Sequence, residues 1–182
     1  LLPVVSTTAD FYQVKYPDER VAWVKREEAR KAEDILTQPV TKEGLVKTAM
    51  AFHGIPCLWG GTSSKAIDCS GLITNVYFMN GIQLPRDADQ QSLLGQVIST
   101  EYSWENLEAG DLLFFGRKAT DTQAESVTHV AMYVDDGEFI HSAGFRERVS
   151  VNSMDPEAEN YIERYPEIFI RTVRIIGEEY AG

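Results

Sequence analysis

The sequence predicts an α+β fold, with helices packed on an antiparallel sheet, and the order of its segments is the main reason. Two segments with apolar residues at helical spacing come first, "TKEGLVKTAMAFHG" and "DCSGLITNVYFMNG". Short strand-like segments separated by turn residues then follow towards the end of the chain. Helices first and strands afterwards are typical of an α+β domain rather than of alternating βα units.

The first 40 residues differ in character from the rest. Residues 1–25 contain apolar and aromatic runs around the turn-forming Pro17-Asp18, which indicates short strands. Residues 26–40 are charged and rich in helix formers, which indicates a linker or a solvated helix. We therefore expect the main domain at residues 41–182 and a separate small segment before it.

Within the main domain, each element has a local signal. Thr41 is a cap for the first helix, a glycine-rich loop precedes the second, and Pro85 is expected to open a third. The strands are predicted, in chain order, from "AGDLLFFG", "VTHVAMYV", "EFIHSAG", "RVSVN" and "FIRTVRIIG".

The composition excludes several classes of function. A chain of 182 residues with 43% hydrophobic residues can bury a core. Its formal net charge of −11 argues against binding to nucleic acid or to an anionic membrane surface, because both repel such a charge. No apolar run approaches the roughly 18 residues that span a bilayer. Two cysteines do not make a disulfide framework, so they leave the compartment open.

Cys69 lies at or next to the start of the second predicted helix, in "LWGGTSSKAIDCSGLI". Free backbone N–H groups at a helix start stabilise negative charge, so we expect this thiol to ionise easily and to act as a nucleophile. The glycines before it let the backbone turn sharply and approach a substrate closely. The alternative is a small buried structural cysteine, with Asp68 and Ser70 serving only as helix caps.

Two histidines flank a predicted hairpin, "HVAMYVDDGEFIH". A three-residue loop at Asp135-Asp136-Gly137 would place His129 and His141 on one face of the sheet as diagonal neighbours. A two-residue loop would shift the register by one and send the two rings to opposite faces. We expect the first arrangement, in which one imidazole takes the cysteine proton and the other orients it.

A metal site is the rival functional interpretation of the same side chains. Cys57, Cys69, His129 and His141 have the ligand types of a tetrahedral zinc site. However, the two cysteines are twelve positions apart, and no tight Cys-x-x-Cys knuckle is present. Each histidine taken alone is also consistent with a half-buried strand residue whose nitrogens are satisfied by hydrogen bonds.

Together these motifs resemble the NlpC family of bacterial cell-wall cysteine peptidases, which have a papain-like fold. The resemblance covers roughly residues 41–176, and it depends on the order of the motifs more than on any one of them. The matching motifs are "LWGG" at 58–61, "DCSGL" at 68–72, "LPR" at 84–86 with Gln90-Gln91, "AGDLLFF" at 109–115, "THVAMY" at 128–133 and "FIHS" at 139–142.

The resemblance implies roles for three residues. Cys69 is implied to be the nucleophile, His129 the general base and acid, and His141 the polar residue that orients His129. Family members mostly hydrolyse peptide stems of the cell wall, often at the bond between γ-D-glutamate and the diamino acid. The implied mechanism is acyl transfer through a thioester, with the backbone N–H of Cys69 contributing to the oxyanion site. The resemblance implies no cofactor and no metal.

Residues 1–25 resemble the last strands of a bacterial SH3-like domain, the rest of which would lie upstream in the full protein. In relatives that recycle wall fragments, such domains narrow the catalytic site. Only short peptides with a free L-Ala amine then fit, and the resemblance implies the same preference here.

The resemblance also implies substrate contacts. Asp68 and Ser70 suit the L-Ala ammonium, because a carboxylate and a hydroxyl both accept hydrogen bonds from it. Arg86 is expected to meet a substrate carboxylate, and Trp59 to line the site. The alternatives stay open: Asp68 and Ser70 as helix caps, and Arg86 paired with a neighbouring aspartate on the surface.

One position departs from the family pattern. The family usually has a tyrosine before the x-Trp-Gly-Gly stretch, where this chain has Cys57. That tyrosine commonly lines the site and donates a hydrogen bond near the reacting carbonyl, whereas cysteine is shorter and a weaker donor. Cys57 is therefore expected at the substrate site, with more effect on efficiency than on the class of reaction.

The predicted function is hydrolysis of peptidoglycan-derived peptides by a monomeric cysteine peptidase, with no nucleic-acid partner and no membrane span. An amidase or acyltransferase using the same triad is one alternative. A wall-peptide-binding module with a degenerate site is another. The resemblance favours the cell envelope or the periplasm, and the sequence leaves lysine and diaminopimelate open as the diamino acid.

Overall fold

The computed structural model describes residues 1–177. The chain folds as two units, Leu1–Pro39 and the part from Val40 onwards. The first unit is a three-stranded antiparallel sheet in the order β1-β2-β3, followed by the short helix α1. The elements are β1 Val4–Thr7, β2 Phe11–Lys15, β3 Val21–Lys25 and α1 Ala32–Thr37. The predicted short strands are confirmed, and the SH3-like assignment stays a prediction.

The second unit begins with the predicted helices. Helix α2 starts where the side chain of Thr41 accepts a hydrogen bond from the backbone N–H of Gly44 (3.0 Å). The helices are α2 Lys42–Met50, α3 Cys69–Phe78, α4 Ala88–Gln91 and α5 Tyr165–Ile168. The third helix was expected to open at Pro85 but begins at Ala88. The carbonyl of Pro85 instead accepts hydrogen bonds from the side chains of Thr74 (3.2 Å) and Gln91 (2.9 Å).

A six-stranded antiparallel sheet in the order β10-β9-β8-β7-β11-β6 forms the rest of this unit. Its strands are β6 Gln96–Ser99, β7 Leu112–Arg117, β8 Ser126–Asp135, β9 Glu138–Ala143, β10 Arg148–Ser153 and β11 Phe169–Arg174. The short hairpin of β4 Thr62–Ser63 and β5 Ala66–Ile67 lies in the loop before α3. The predicted α+β fold is confirmed, although β4, β5, β6 and α5 were not predicted.

Strand β7 separates two apolar clusters, because its side chains alternate between the faces of the sheet. Leu112 and Phe114 pack into the cluster that contains the buried face of α3. Leu113 and Phe115 pack on the opposite side, with Tyr165 of α5. Burial on both faces explains why this strand reads as a continuous apolar run.

The hairpin of β8 and β9 has the predicted register, but its turn differs from the predicted one. The turn is a two-residue turn at Asp136 and Gly137, both with positive φ (47° and 75°), and Asp135 pairs with Glu138. The three-residue loop, which would have paired residue 134 with 138, is therefore wrong. A bulge between Tyr133 and Asp135 adds one residue and restores the expected register, in which Tyr133 pairs with Phe139.

None of the helices within residues 1–177 is long and apolar enough to cross a bilayer.

Candidate active site

Cys69 is the first residue of α3, and Asp68 is its N-cap. The Asp68 carboxylate accepts a hydrogen bond from the backbone N–H of Gly71 (2.7 Å), so the capping role is real. Helix α3 packs against β8, the strand that carries His129. The half-buried Cys69 side chain interacts with the backbone N–H of Val130, the residue that follows His129. The structure therefore brings the predicted nucleophile to the strand of the predicted base.

The Cys69 thiol does not ionise as easily as its place at a helix start suggested. Burial raises its pKa, and the nearby negative charge of Asp68 raises it further. The backbone N–H groups of Val130 and Ser70 act in the opposite direction but do not overcome burial. In the free protein, Cys69 is therefore a protonated thiol at neutral pH.

His129 and His141 contact each other directly. Nε2 of His129 lies 2.9 Å from Nδ1 of His141, so the predicted placement of both rings on one face is confirmed. Burial lowers the pKa of His141 to about 4. Burial also holds the pKa of His129 well below its usual value, and His141 adds to this effect. Both rings are therefore neutral at neutral pH.

Asn152 of β10 decides which nitrogen of each ring carries the proton. Its side-chain N–H₂ donates to the carbonyl of Asn160 (2.6 Å), which turns Oδ1 towards Nε2 of His141 (3.1 Å). An acceptor at that distance requires the proton of His141 on Nε2, so Nδ1 is an acceptor. His129 then carries its proton on Nε2, which leaves Nδ1 of His129 as the free base.

Tyr165 is a site residue that the sequence analysis missed. Its hydroxyl lies 3.1 Å from Nε2 of His129 and 2.9 Å from Nδ1 of His141, and so bridges the two rings. The ring is fixed by Phe115, with centroids 4.4 Å apart, and by stacking on Phe139 at 5.6 Å. Only the tertiary fold brings α5 to this place, and no local motif marks the residue.

Asp68, Ser70 and Arg86 form one hydrogen-bonded cluster at the start of α3. Arg86 donates to Oδ2 of Asp68 (2.6 Å) and to the hydroxyl of Ser70 (2.8 Å). The same Oδ2 accepts the backbone N–H of Gly60 (2.8 Å). Arg86 thus pairs with Asp68 and not with Asp87 or Asp89, so the surface alternative is wrong.

The glycine-rich loop lies against the start of α3. The backbone N–H of Asp68 donates to the carbonyl of Gly61 (3.1 Å). A Cβ atom on Gly71 would overlap that same carbonyl oxygen, so this close approach requires glycine. Trp59 is 95% exposed, so its indole is open to solvent beside the loop. Cys57 is half-buried with a free thiol, and its N–H donates to the carbonyl of Glu147 (2.8 Å).

The zinc alternative finds no support in the geometry. Within residues 1–177, no group of three or more His, Cys, Asp and Glu side chains is arranged to hold a metal ion. His129 and His141 instead use their facing nitrogens for each other and for Tyr165.

Comparisons with known proteins agree on one family. The sequence profile of the NlpC/P60 family matches residues 54–165. A Bacillus cereus protein named gamma-D-glutamyl-L-lysine dipeptidyl-peptidase is 37% identical over 167 residues, covering 90% of this chain and 47% of that protein. A Bacillus subtilis protein of the same name is 37% identical over 105 residues, covering 58% of this chain and 33% of that protein.

A solved structure agrees with these sequence comparisons. The crystal structure of an NlpC/P60 family protein from Bacillus cereus superposes with a TM-score of 0.76 and 33% sequence identity, covering 95% of this chain and 53% of that chain. The chain thus spans about half the length of these Bacillus cereus proteins.

Proposed function

The chain belongs to the NlpC/P60 family, and from this premise we propose that it is a cysteine peptidase that hydrolyses peptidoglycan stem peptides at the γ-D-glutamyl–diamino acid bond. The names of the Bacillus relatives support the choice of bond. The observation that carries the proposal is the direct contact of His129 with His141 (2.9 Å). His129 lies on β8, the strand against which the helix that begins at Cys69 packs. This arrangement supports a nucleophile, a base and an orienting residue.

The first step is proton transfer from the Cys69 thiol to Nδ1 of His129. The protons on Nε2 of both imidazoles, fixed through Asn152, leave Nδ1 of His129 free to accept. The raised pKa of Cys69 and the lowered pKa of His129 favour a neutral pair at rest, so the thiolate is formed only in small amount before it attacks. His141 accepts a hydrogen bond from the imidazolium that forms and keeps its ring in place.

The thiolate then attacks the γ-carbonyl carbon of the D-glutamyl residue. The carbonyl oxygen becomes negatively charged, and the backbone N–H of Cys69, at the first position of α3, is free to stabilise it. His129 returns its proton to the departing amine of the diamino acid, which leaves a thioester on Cys69. Water hydrolyses the thioester with His129 again acting as base, which regenerates the thiol.

The cluster at the start of α3 supports recognition of the free L-Ala amine. Oδ2 of Asp68 is occupied by Arg86 and Gly60, whereas Oδ1 has only Gly71 as a close partner, with Ser70 at 3.5 Å. An ammonium between Oδ1 and the Ser70 hydroxyl would complete the coordination of both oxygens. Arg86 then acts on the substrate by holding Asp68 and Ser70.

The test is mass spectrometry of L-Ala-γ-D-Glu-meso-diaminopimelate and of its L-lysine analogue after incubation with the protein. We expect the wild type to release L-Ala-D-Glu and the free diamino acid, and Cys69→Ala to release neither. Cys57→Ala is the matched control, because it removes the other thiol and leaves the proposed nucleophile in place. N-acetylation of L-Ala should strongly reduce turnover, because it removes the ammonium.

The outcomes separate the alternatives. If the peptides stay intact but Cys69→Ala binds them, the chain is a wall-peptide-binding module. If other amides or esters are cleaved with Cys69 and the peptides are not, the catalytic residues are right and the substrate is wrong. If wild type and Cys69→Ala cleave equally, the nucleophile is wrong.

A further inference from the structure

A groove of about 550 Å³ runs along β10, beside the pair formed by His141 and Asn152. Asn152 lines it directly, and so does Phe145, whose ring centroid lies 6.0 Å from that of His141. This volume is within the roughly 300–1,000 Å³ of sites that bind small molecules. The mechanism above uses Asn152 but assigns nothing to the groove itself.

Two exposed arginines, Arg146 and Arg148, line this groove. None of the ion pairs within residues 1–177 involves either guanidinium, although the whole chain has a net charge of −11. The guanidinium of Arg146 lies over the ring of Phe145, at 5.4 Å from its centroid. Glu159 is also part of the lining, so the groove presents two positive charges and one negative charge.

Backbone contacts hold this arginine-bearing turn beside the loop that precedes Cys69. The N–H of Cys57 donates to the carbonyl of Glu147 (2.8 Å), and Pro56 forms a β-bridge with Arg148. Burial is the main cause of the lowered pKa of His141, and the positive charge of Arg146 lowers it further. The groove therefore borders the pair formed by His141 and Asn152, close to the loop that precedes Cys69.

The groove and the Asp68 cluster lie at different strands of the six-stranded sheet. Arg86 reaches Asp68 from the segment before α4, and α4 packs on β8. The groove follows β10, which is separated from β8 by β9. For a peptide whose amino end contacts Asp68, the groove along β10 is therefore a separate place for its other end.

We propose that this groove binds the diamino acid that leaves the scissile bond, and that Arg146 and Arg148 bind its carboxylates. The inference rests on the proposed function. meso-Diaminopimelate has two carboxylates and a distal ammonium, which match two arginines and Glu159. Lysine lacks the distal carboxylate, so the groove favours diaminopimelate over lysine.

The test compares kcat/KM for L-Ala-γ-D-Glu-meso-diaminopimelate and for the lysine analogue. The wild type should prefer diaminopimelate, and the double variant Arg146→Gln, Arg148→Gln should lower this preference about threefold to fivefold, as expected for exposed ion pairs. Arg117→Gln is the matched control, because Arg117 is an exposed arginine on β7 that does not line the groove. A preference unchanged in the double variant overturns the proposal.

A binding measurement separates failure of the groove from failure of the proposed reaction. Calorimetry with free meso-diaminopimelate on the Cys69→Ala protein requires no turnover. Binding that the double arginine variant loses supports the groove, even if the wild type cleaves neither peptide. Binding that is absent, or equal in the double variant, overturns it even if both peptides are cleaved.

Discussion

Oδ1 of Asn152 lies 3.1 Å from Nε2 of His141, on the side of that ring opposite His129. Asn152 is buried, and its own orientation is fixed by the backbone carbonyl of Asn160. A chain of hydrogen bonds thus runs from a backbone group through one amide and two imidazoles towards the thiol. The Asn152 amide decides which atom donates and which accepts in each hydrogen bond of this chain.

Replacing Asn152 with Ala should lower kcat on the order of tenfold to a hundredfold and leave KM nearly unchanged, because the imidazoles lose the group that fixes their protonated nitrogens. Steady-state kinetics with the tripeptide measures both constants. Asn160→Ala is the matched control, since Asn152 is held by the backbone carbonyl of Asn160, which the substitution keeps. Wild-type kcat in Asn152→Ala would show that the imidazoles do not need this anchor.

Alkylation of Cys69 should report the raised pKa of its thiol. In a Cys57→Ser background, the rate with iodoacetamide should keep rising with pH beyond the range of an ordinary thiol, because burial disfavours the thiolate. Cysteine methyl amide measured in parallel provides the reference, and Cys69→Ala in the same background measures the non-specific rate. A plateau between about pH 6 and pH 8 would contradict the prediction, since it indicates a thiolate–imidazolium pair at rest.

The local pattern around the predicted triad was readable from the sequence. Helix α3 starts at Cys69 because Asp68 caps it, and the two histidines share a face because of the hairpin register. The register depends on a bulge that the turn residues do not predict. The two-residue turn without that bulge would have placed the two rings on opposite faces of the sheet. The catalytic roles of these residues stay a prediction.

What the sequence could not predict depends on tertiary contacts and burial. Tyr165 and Asn152 reach the imidazoles only after α5 and β10 have packed, and neither lies in a motif. The Arg86 pairing joins residues 18 positions apart instead of near neighbours. The direction of the Cys69 pKa shift was wrong because a helix start can be read from sequence, whereas desolvation of the thiol cannot.

The two buried imidazoles should make the fold less stable at mildly acidic pH. Burial lowers the pKa of His141 to about 4, while an unfolded histidine has a pKa of about 6.5. Between these values the unfolded chain binds more protons than the folded one, so the free energy of unfolding rises with pH. The contribution of His141 to the free energy of unfolding is fully present above about pH 6.5. It is lost, by up to roughly 3 kcal/mol, as the pH drops towards 4.

Urea unfolding at pH 7 and pH 5 tests this linkage. The wild type should lose stability at pH 5, and His141→Gln should lose less, because the group that binds the proton on unfolding is gone. His53→Gln is the matched control, since His53 is exposed. Protonation of carboxylates affects the wild type and both variants equally. An equal loss of stability in all three proteins would therefore assign the pH dependence to the carboxylates and not to His141.

Gly71→Ala should separate the glycine-rich loop from the start of α3. A Cβ at this position would overlap the carbonyl oxygen of Gly61, which accepts the backbone N–H of Asp68 (3.1 Å). The Cβ would also lie 2.9 Å from Oδ1 of Asp68. Because the Gly61 carbonyl is backbone, it cannot move without displacing the loop, and we expect a loss of about 1–3 kcal/mol in the free energy of unfolding together with lower activity. Gly144→Ala is the matched control, since its Cβ would have no atom within 4 Å, and it should change stability by less than about 0.5 kcal/mol. Denaturant midpoints of the two variants measure the difference. Equal midpoints would mean that the glycine-rich loop moves to accommodate the Cβ at no cost in stability. The close approach of Gly61 to Gly71 would then not be what positions Cys69.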